Sequence, residues 1–278
     1  MLRYIRTILV ILFILALIGA AALFLYNYTH EDISPPAFRM DSDLVEVSVS
    51  DPDSALLQGL SAYDNVDGDL SAQIRIKDIS TLINETDVTV TYIVFDAASN
   101  YATCTRTARY TDYKPPRFGL TRPMIFNMGE TVSFTGSVTV TDQRDGNISG
   151  RLKLEQTTVV NSTPGTYSAT LSATNRMGDT IYLPLTVQVI DKSVSRPTIE
   201  LSTYLIYVDQ GAQVNYRRYL SQVTDPLVED KDKTVSSGAV KVNSSNVDTS
   251  TPGVYEVYYY YTGISGEIAT VILTVVVE

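Results

Sequence analysis

The 278-residue sequence has no tryptophan, one histidine (His30) and one cysteine (Cys104). These scarcities remove whole classes of chemistry. A serine, threonine or cysteine nucleophile needs an imidazole to activate it, and His30 sits beside the N-terminal apolar run with no second histidine elsewhere. One histidine and one cysteine do not make a zinc site. A lone cysteine forms no intrachain disulfide, so the folded parts must be held by packing alone. Cys104 falls on the apolar phase of an expected last strand and is read as a buried structural thiol. Positive charge is also scarce. Of the 21 basic residues two, Arg3 and Arg6, precede the apolar run, so 19 face 31 acidic residues in the rest of the chain. No basic patch interrupts that field, and nucleic acid is excluded as a partner.

What is present begins with a long apolar run, Ile8 to Leu25, which as a helix spans roughly 27 Å, about one bilayer core. Arg3 and Arg6 lie before it and Glu31 and Asp32 after it, which places the N-terminus inside and the remainder outside. Residues 1–7 are then a cytoplasmic tail and 8–26 a transmembrane signal anchor. A cleaved secretory signal is the alternative, since Ala20, Ala21 and Ala22 offer small residues for cleavage; the run continues past them, which favours an uncleaved anchor. Export follows from either.

Three proline signals recur about every 80 residues: Ser34-Pro35-Pro36-Ala37-Phe38, Lys114-Pro115-Pro116-Arg117-Phe118 and Ser195-Arg196-Pro197-Thr198-Ile199. Each is expected to be a short semi-rigid linker opening a repeat, with the last repeat displayed on the order of 100 Å from the membrane. Other features return in the same order. Asp64-Asn-Val-Asp67-Gly68-Asp69-Leu-Ser corresponds to Asp142-Gln-Arg-Asp145-Gly146-Asn147-Ile-Ser, Asp96-Ala-Ala-Ser-Asn100 to Asn175-Arg-Met-Gly178-Asp179, and Ser162-Thr-Pro-Gly165-Thr-Tyr167 to Ser250-Thr-Pro-Gly253-Val-Tyr255. Between them lie short runs of period two. Tyr167, Ala169, Leu171 and Ala173 alternate with Ser168, Thr170 and Ser172, and Leu183, Leu185, Val187 and Val189 do likewise, as half-buried strands require. Pro184 removes a ladder donor, so its strand should be an edge.

The pattern Asp-x-x-Asp-Gly-Asp/Asn-Leu/Ile-Ser, then Gly-Thr-Tyr, then Asp-x-x-Gly-Asn and a final strand resembles the bacterial immunoglobulin-like domain first named from an insecticidal crystal toxin. The first repeat has Thr86-Asp87-Val88 in place of the glycine-tyrosine pair. The third keeps Thr251 to Tyr255 but carries Thr224-Asp225-Pro-Leu-Val-Glu229-Asp230-Lys-Asp232-Lys where the aspartate-glycine loop should be. The resemblance covers about 240 residues and implies an all-β fold: three tandem immunoglobulin-like β-sandwiches at 33–112, 113–192 and 195–278, preceded by one transmembrane helix. It implies a Gram-positive type of surface protein and no single activity.

In an immunoglobulin topology the loop after the second strand and the last hairpin share a pole, which would gather Asp64, Asp67, Asp69 and Asp96. Two readings of that cluster stay open. The carboxylates would hold a hard cation, Ca²⁺, or Asp64 and Asp67 would cap backbone amides while Gly68 supplies a positive φ. Acid-pair hydrolysis would need a cleft that a sandwich of this size rarely has, so no enzymatic role is expected. In the third repeat the phase puts Tyr258, Tyr260, Ile272 and Val276 on an outward face expected to be exposed; it would either bind a surface protein or glycan or reflect only tyrosine's preference for strands, where cross-strand aromatic pairs stabilise the sheet. The functional expectation is a non-enzymatic scaffold or adhesion-type protein, or alternatively an accessory subunit of an envelope complex such as a polysaccharide exporter.

Overall fold

The computed structural model describes residues 2–30, 32–229 and 233–278; Glu31, and Asp230 and Asp232 of the acidic third-repeat loop, lie outside them. The chain is β-rich after one helix, α1 (Leu2–His30). From Ile8 to Leu25 apolar residues fall on every face of α1. Within Arg3–Tyr26 an 18-residue stretch reaches a mean hydropathy of 3.2, long and apolar enough to cross a membrane, and the helix fits a signal anchor and a signal peptide alike. The chain divides into two compact units, Met1–Thr111 and Asp112–Glu278.

The first unit contains β1 (Ala37–Met40), β2 (Leu44–Val47), β3 (Leu60–Asp64), β4 (Gly68–Asp69), β5 (Arg75–Ile79), β6 (Asp87–Phe95) and β7 (Tyr101–Tyr110). They make a small sheet in the order β1-β3-β4 and a larger one in the order β2-β7-β6-β5. Only β2 against β7 is parallel, with Val45 opposite Ala108. Alternation builds the core: Val88, Val90, Tyr92 and Val94 are buried while Thr89, Thr91 and Ile93 between them are half-exposed. A buried phenol needs an acceptor, and Tyr92 Oη donates to Leu56 O at 2.7 Å. Arg106 shares the inward phase of β7 and is buried. Its guanidinium donates to Leu56 O and to Gln58 O, the latter at 2.8 Å, and lies 5.6 Å from the Tyr92 ring centroid. Carbonyls of one loop thus hold a cation that the core would otherwise reject. Cys104, two residues before it, is half-buried, less enclosed than the sequence suggested.

The second unit contains β8 (Arg117–Leu120), β9 (Ile125–Asn127), β10 (Val138–Asp142), β11 (Gly146–Asn147), β12 (Lys153–Thr157), β13 (Gly165–Thr174), β14 (Thr180–Ile190), β15 (Thr198–Leu201), β16 (Leu205–Val208), β17 (Leu220–Thr224), β18 (Lys241–Asn243), β19 (Gly253–Thr262) and β20 (Ile268–Val277). The larger sheets run β9-β14-β13-β12 and β16-β20-β19-β18, beside smaller sheets β8-β10-β11 and β15-β17. In each larger sheet the short outer strand is again parallel to the last long one. The same strand order therefore occurs three times.

Several motifs find their cause here. Tyr167 and Tyr255 donate back to Thr163 O and Thr251 O at 2.8 and 2.9 Å, each side chain lying 3.4 Å from where a Cβ on Gly165 or Gly253 would stand. Pro184 faces outward, and β9 pairs with β14 only from Gln188 onward, so Pro184 lies on an open stretch of edge. Gln188 N, on the same phase, donates to Met124 O at 2.8 Å, which shows the side from which the proline withholds a donor.

The extended spacing expected between the second and third repeats is not found. Phe118 N donates to Tyr207 Oη at 2.7 Å, while Arg117 lies 4.8 Å from the Tyr207 ring centroid and pairs with Glu278. The buried residues of both repeats form one continuous cluster. Apolar side chains on outer strands, which period-two reading treats as solvent-facing, provide that packing.

The three long hairpins close alike, with Asp96 N to Asn100 O at 3.0 Å, Asn175 N to Asp179 O at 3.0 Å and Gly263 N to Glu267 O at 2.8 Å. The fourth loop residue has positive φ each time, Gly178 (81°) and Gly266 (83°) but Ser99 (73°) in the first. Ser99→Gly should therefore stabilise the first unit by about 0.5–1 kcal/mol, read from urea unfolding of the full chain; a lower midpoint would contradict this account. Across β6 and β7, Arg109 Nε meets Asp87 Oδ1 at 2.8 Å. Arg109 and then Asn84 hold the Asp87 carboxyl far below its ordinary range. A depressed folded-state value gives stability that is present above the unfolded value, ~4, and is lost as pH falls through the folded one. Between pH ~5 and ~2 the wild type should lose stability more steeply than Asp87→Asn, and parallel curves would show the pair contributes nothing.

Candidate functional site

The pole of the first repeat is assembled from three places: the end of β3 at Asp64, the β6–β7 hairpin at Asp96 to Asn100, and the segment between α1 and β1 that carries Asp32. Carboxylate oxygens of Asp32, Asp64 and Asp96 lie within 4.8 Å of one another. Asp64 is only 1% exposed. Its Oδ1 accepts from Val66 N at 2.8 Å and Asp67 N at 3.1 Å. Those N–H groups, Asp67 first, hold the carboxyl below its ordinary range against the opposing effect of burial. Its Oδ2 is buried without a hydrogen-bond donor among the described residues, as is Asp32 Oδ2. Asp96 accepts from Asn100 N at 2.7 Å and Asn100 Nδ2 at 2.8 Å, and Nδ2 also donates to Asp32 O at 2.9 Å.

The four carboxylates expected to converge therefore separate. Asp64 and Asp96 meet. Asp67 instead accepts from Ala97 N at 2.8 Å, binding the β3–β4 loop to the hairpin, and Asp69 accepts from Ser71 N at 2.8 Å. Gly68 has φ of 75°, so the amide-capping reading of this loop describes its first oxygen well. Asp32 is the member that sequence reasoning missed, because it was read only as charge flanking the helix; its nearness to the Pro35-Pro36 signal was the available clue.

The other two repeats treat the same aspartate differently. In the second, Asp142 Oδ1 accepts from Arg144 N and Asp145 N at 2.9 and 2.7 Å, but Oδ2 accepts from Asn175 Nδ2 at 2.9 Å. Asn175 Nδ2 also reaches Tyr113 Oη at 2.9 Å, and Tyr113 in turn donates to Asp179 Oδ2 at 2.7 Å. In the third, Asp225 Oδ1 accepts from Leu227 N at 3.0 Å and Oδ2 from Ile264 N at 2.9 Å. Gly263 stands at the Asp96 position, where an added Cβ would lie 2.9 Å from Asp225 Oδ2. Asp225 is thus the structural counterpart of Asp64, although the surrounding loop sequence hid it.

The tyrosine face of the third repeat differs from its expected exposure. Tyr258, Tyr260, Ile272 and Val276 are each half-buried, and Thr274 on the same phase is 2% exposed. Leu185, Thr186 and Gln188 of the second repeat line a recess with Ile272 and Thr274. Periodicity assigned the phase correctly but carries no information about what covers its outer side. Tyr258 stacks on Tyr260, centroids 6.0 Å apart and planes at 6°, and donates to Glu256 Oε2 at 2.6 Å. Burial, followed by Glu256, pushes the Tyr258 phenol up to about 12. A groove of about 720 Å³ opens elsewhere in this unit, lined in part by Ile125, Asp191, Arg196 and Thr270.

No protein-family model matches the chain. The pesticidal crystal protein Cry22Aa of Bacillus thuringiensis is 26% identical over 219 residues, 75% of this chain and 28% of that protein. The chain thus spans under a third of the length of the curated relative it matches. Among solved structures, the lipoprotein BT2262 of Bacteroides thetaiotaomicron aligns at 12% identity over 56% of this chain and 77% of its own, with a TM-score of 0.25. CBM51-2 and INT domains of Clostridium perfringens ZmpB, solved with GlcNAc, align at 14% identity over 55% of this chain and 41% of theirs, with a TM-score of 0.23.

Because Tyr258 is half-buried, Tyr258→Ser should destabilise the second unit by about 1–3 kcal/mol, measured by chemical unfolding of the full chain. An unchanged midpoint would restore the view of it as a free surface residue.

Proposed function

We propose that this chain is a non-enzymatic display protein, fixed in a cell membrane by residues 8–26, that holds three immunoglobulin-like sandwiches (33–112, 113–192 and 195–278) outside for interaction with a surface protein or glycan. One observation carries the reading: an apolar helix with arginines only on its N-terminal side is followed by three recurrences of one strand order. The 26% identity to a bacterial crystal protein across most of the chain supports the domain type. The scarcity of histidine and cysteine supports a binding role over a catalytic one. An acidic body favours solubility at a surface and disfavours polyanionic partners.

The competing reading, an accessory subunit of an envelope complex, draws on Gly19 and the adjoining alanines of α1, small residues that let another helix approach closely. Protease added to intact cells should digest the chain beyond Tyr26 while cytoplasmic proteins survive, and protection of the C-terminus would overturn the placement. Exchanging residues 8–26 for an unrelated spanning helix should leave surface function intact; its loss would favour the subunit reading.

A further inference from the structure

Buried carboxylates need donors or positive charge, because an ionised oxygen removed from water without either is strongly disfavoured. The chain carries its own comparison. Three equivalent aspartates, Asp64, Asp142 and Asp225, are each almost fully buried at the end of a strand with Oδ1 closed on backbone N–H groups. In two of them Oδ2 receives a protein donor, Asn175 Nδ2 or Ile264 N. In the first, Oδ2 receives none among the described residues, and the place of the amide is taken by Asp96 with Asp32 alongside. No described ion pair engages any of the three. Among the described residues nothing neutralises this pole, which leaves room for a cation from solution.

We propose that Asp32, Asp64 and Asp96 bind one Ca²⁺ ion, and that the ion fastens the segment leaving the N-terminal helix to the pole of the first repeat. The donor set is all oxygen, which suits a hard cation, and one ion at roughly 2.4 Å from each carboxylate fits oxygens spaced within 4.8 Å. Asp32 Oδ2 and Asp64 Oδ2 are the unclaimed ligands, and Asp96 retains lone pairs beyond those used by Asn100. Water completes the six to eight oxygens such an ion takes. Magnesium, which demands shorter distances and gives up its water reluctantly, should bind more weakly. Asp67 and Asp69 act only on the loop that shapes the site.

The test uses the full chain in detergent micelles after treatment with a chelator. Calorimetric titration with CaCl₂ should show one site with Kd on the order of 10⁻⁴–10⁻³ M. Calcium should also raise the unfolding midpoint and slow amide exchange at residues 32–34. Asp64→Asn should abolish the heat. Because that variant alters a buried cap, Asp96→Asn serves beside it: it rebuilds the second repeat's own pairing, and should fold without calcium at least as stably as wild type while losing roughly tenfold or more in calcium affinity. A flat wild-type titration, or an Asp96→Asn titration equal to wild type, overturns the proposal. Stabilisation of the calcium-free wild type by acid, with no response to calcium, also overturns it and assigns a shared proton in place of the ion.

Discussion

An aspartate whose first carboxylate oxygen closes on the N–H groups two and three residues ahead fixes how each repeat ends one strand and begins its turn. Asp64 and Asp142 do this with two amides and Asp225 with one. The turn in turn places the next acid: Asp67 and Asp145 reach across to Ala97 N and Arg176 N, so that the loop and the last hairpin share one pole. Remove the aspartate and those turn amides lose the acceptor that holds the loop in this shape. The rest of the repeat, from hairpin register to the entry of the chain before β1, is assembled around that closure.

The second oxygen is where the three copies diverge, and the divergence is chemical before it is structural. Carboxylate, carboxamide and hydrogen stand at positions 96, 175 and 263, on hairpins of the same length and hydrogen bonding. The three hairpins share one backbone solution and differ in the charge they enclose. The positive φ at the fourth hairpin residue shows the same economy, held by glycine twice and by Ser99 once.

Much of the fold was legible because strands with one buried face impose period two on their sequence, as in Val88 to Val94 and Tyr167 to Ala173. Proline and Asp-Gly punctuation marked repeats because φ restrictions are local and visible in single residues. Part of the site was legible for the same reason: Asp64 and Asp96 sit in motifs. Asp32 and Asp225 were not, since one lies in a linker and the other in a loop whose sequence has drifted while its hydrogen bonds have not. The fate of the outward tyrosines was also hidden. Whether Tyr258 meets water or Thr186 depends on how two repeats pack, a property of surfaces far apart in sequence.

Cys104 has a consequence for how copies of the chain meet one another under the proposed surface display. Burial raises its thiol above the ordinary value, only partly offset by the nearby Arg106, so little thiolate is present at neutral pH. Since the thiolate is the attacking species in disulfide exchange, Cys104 offers neighbouring copies no ready covalent route to one another.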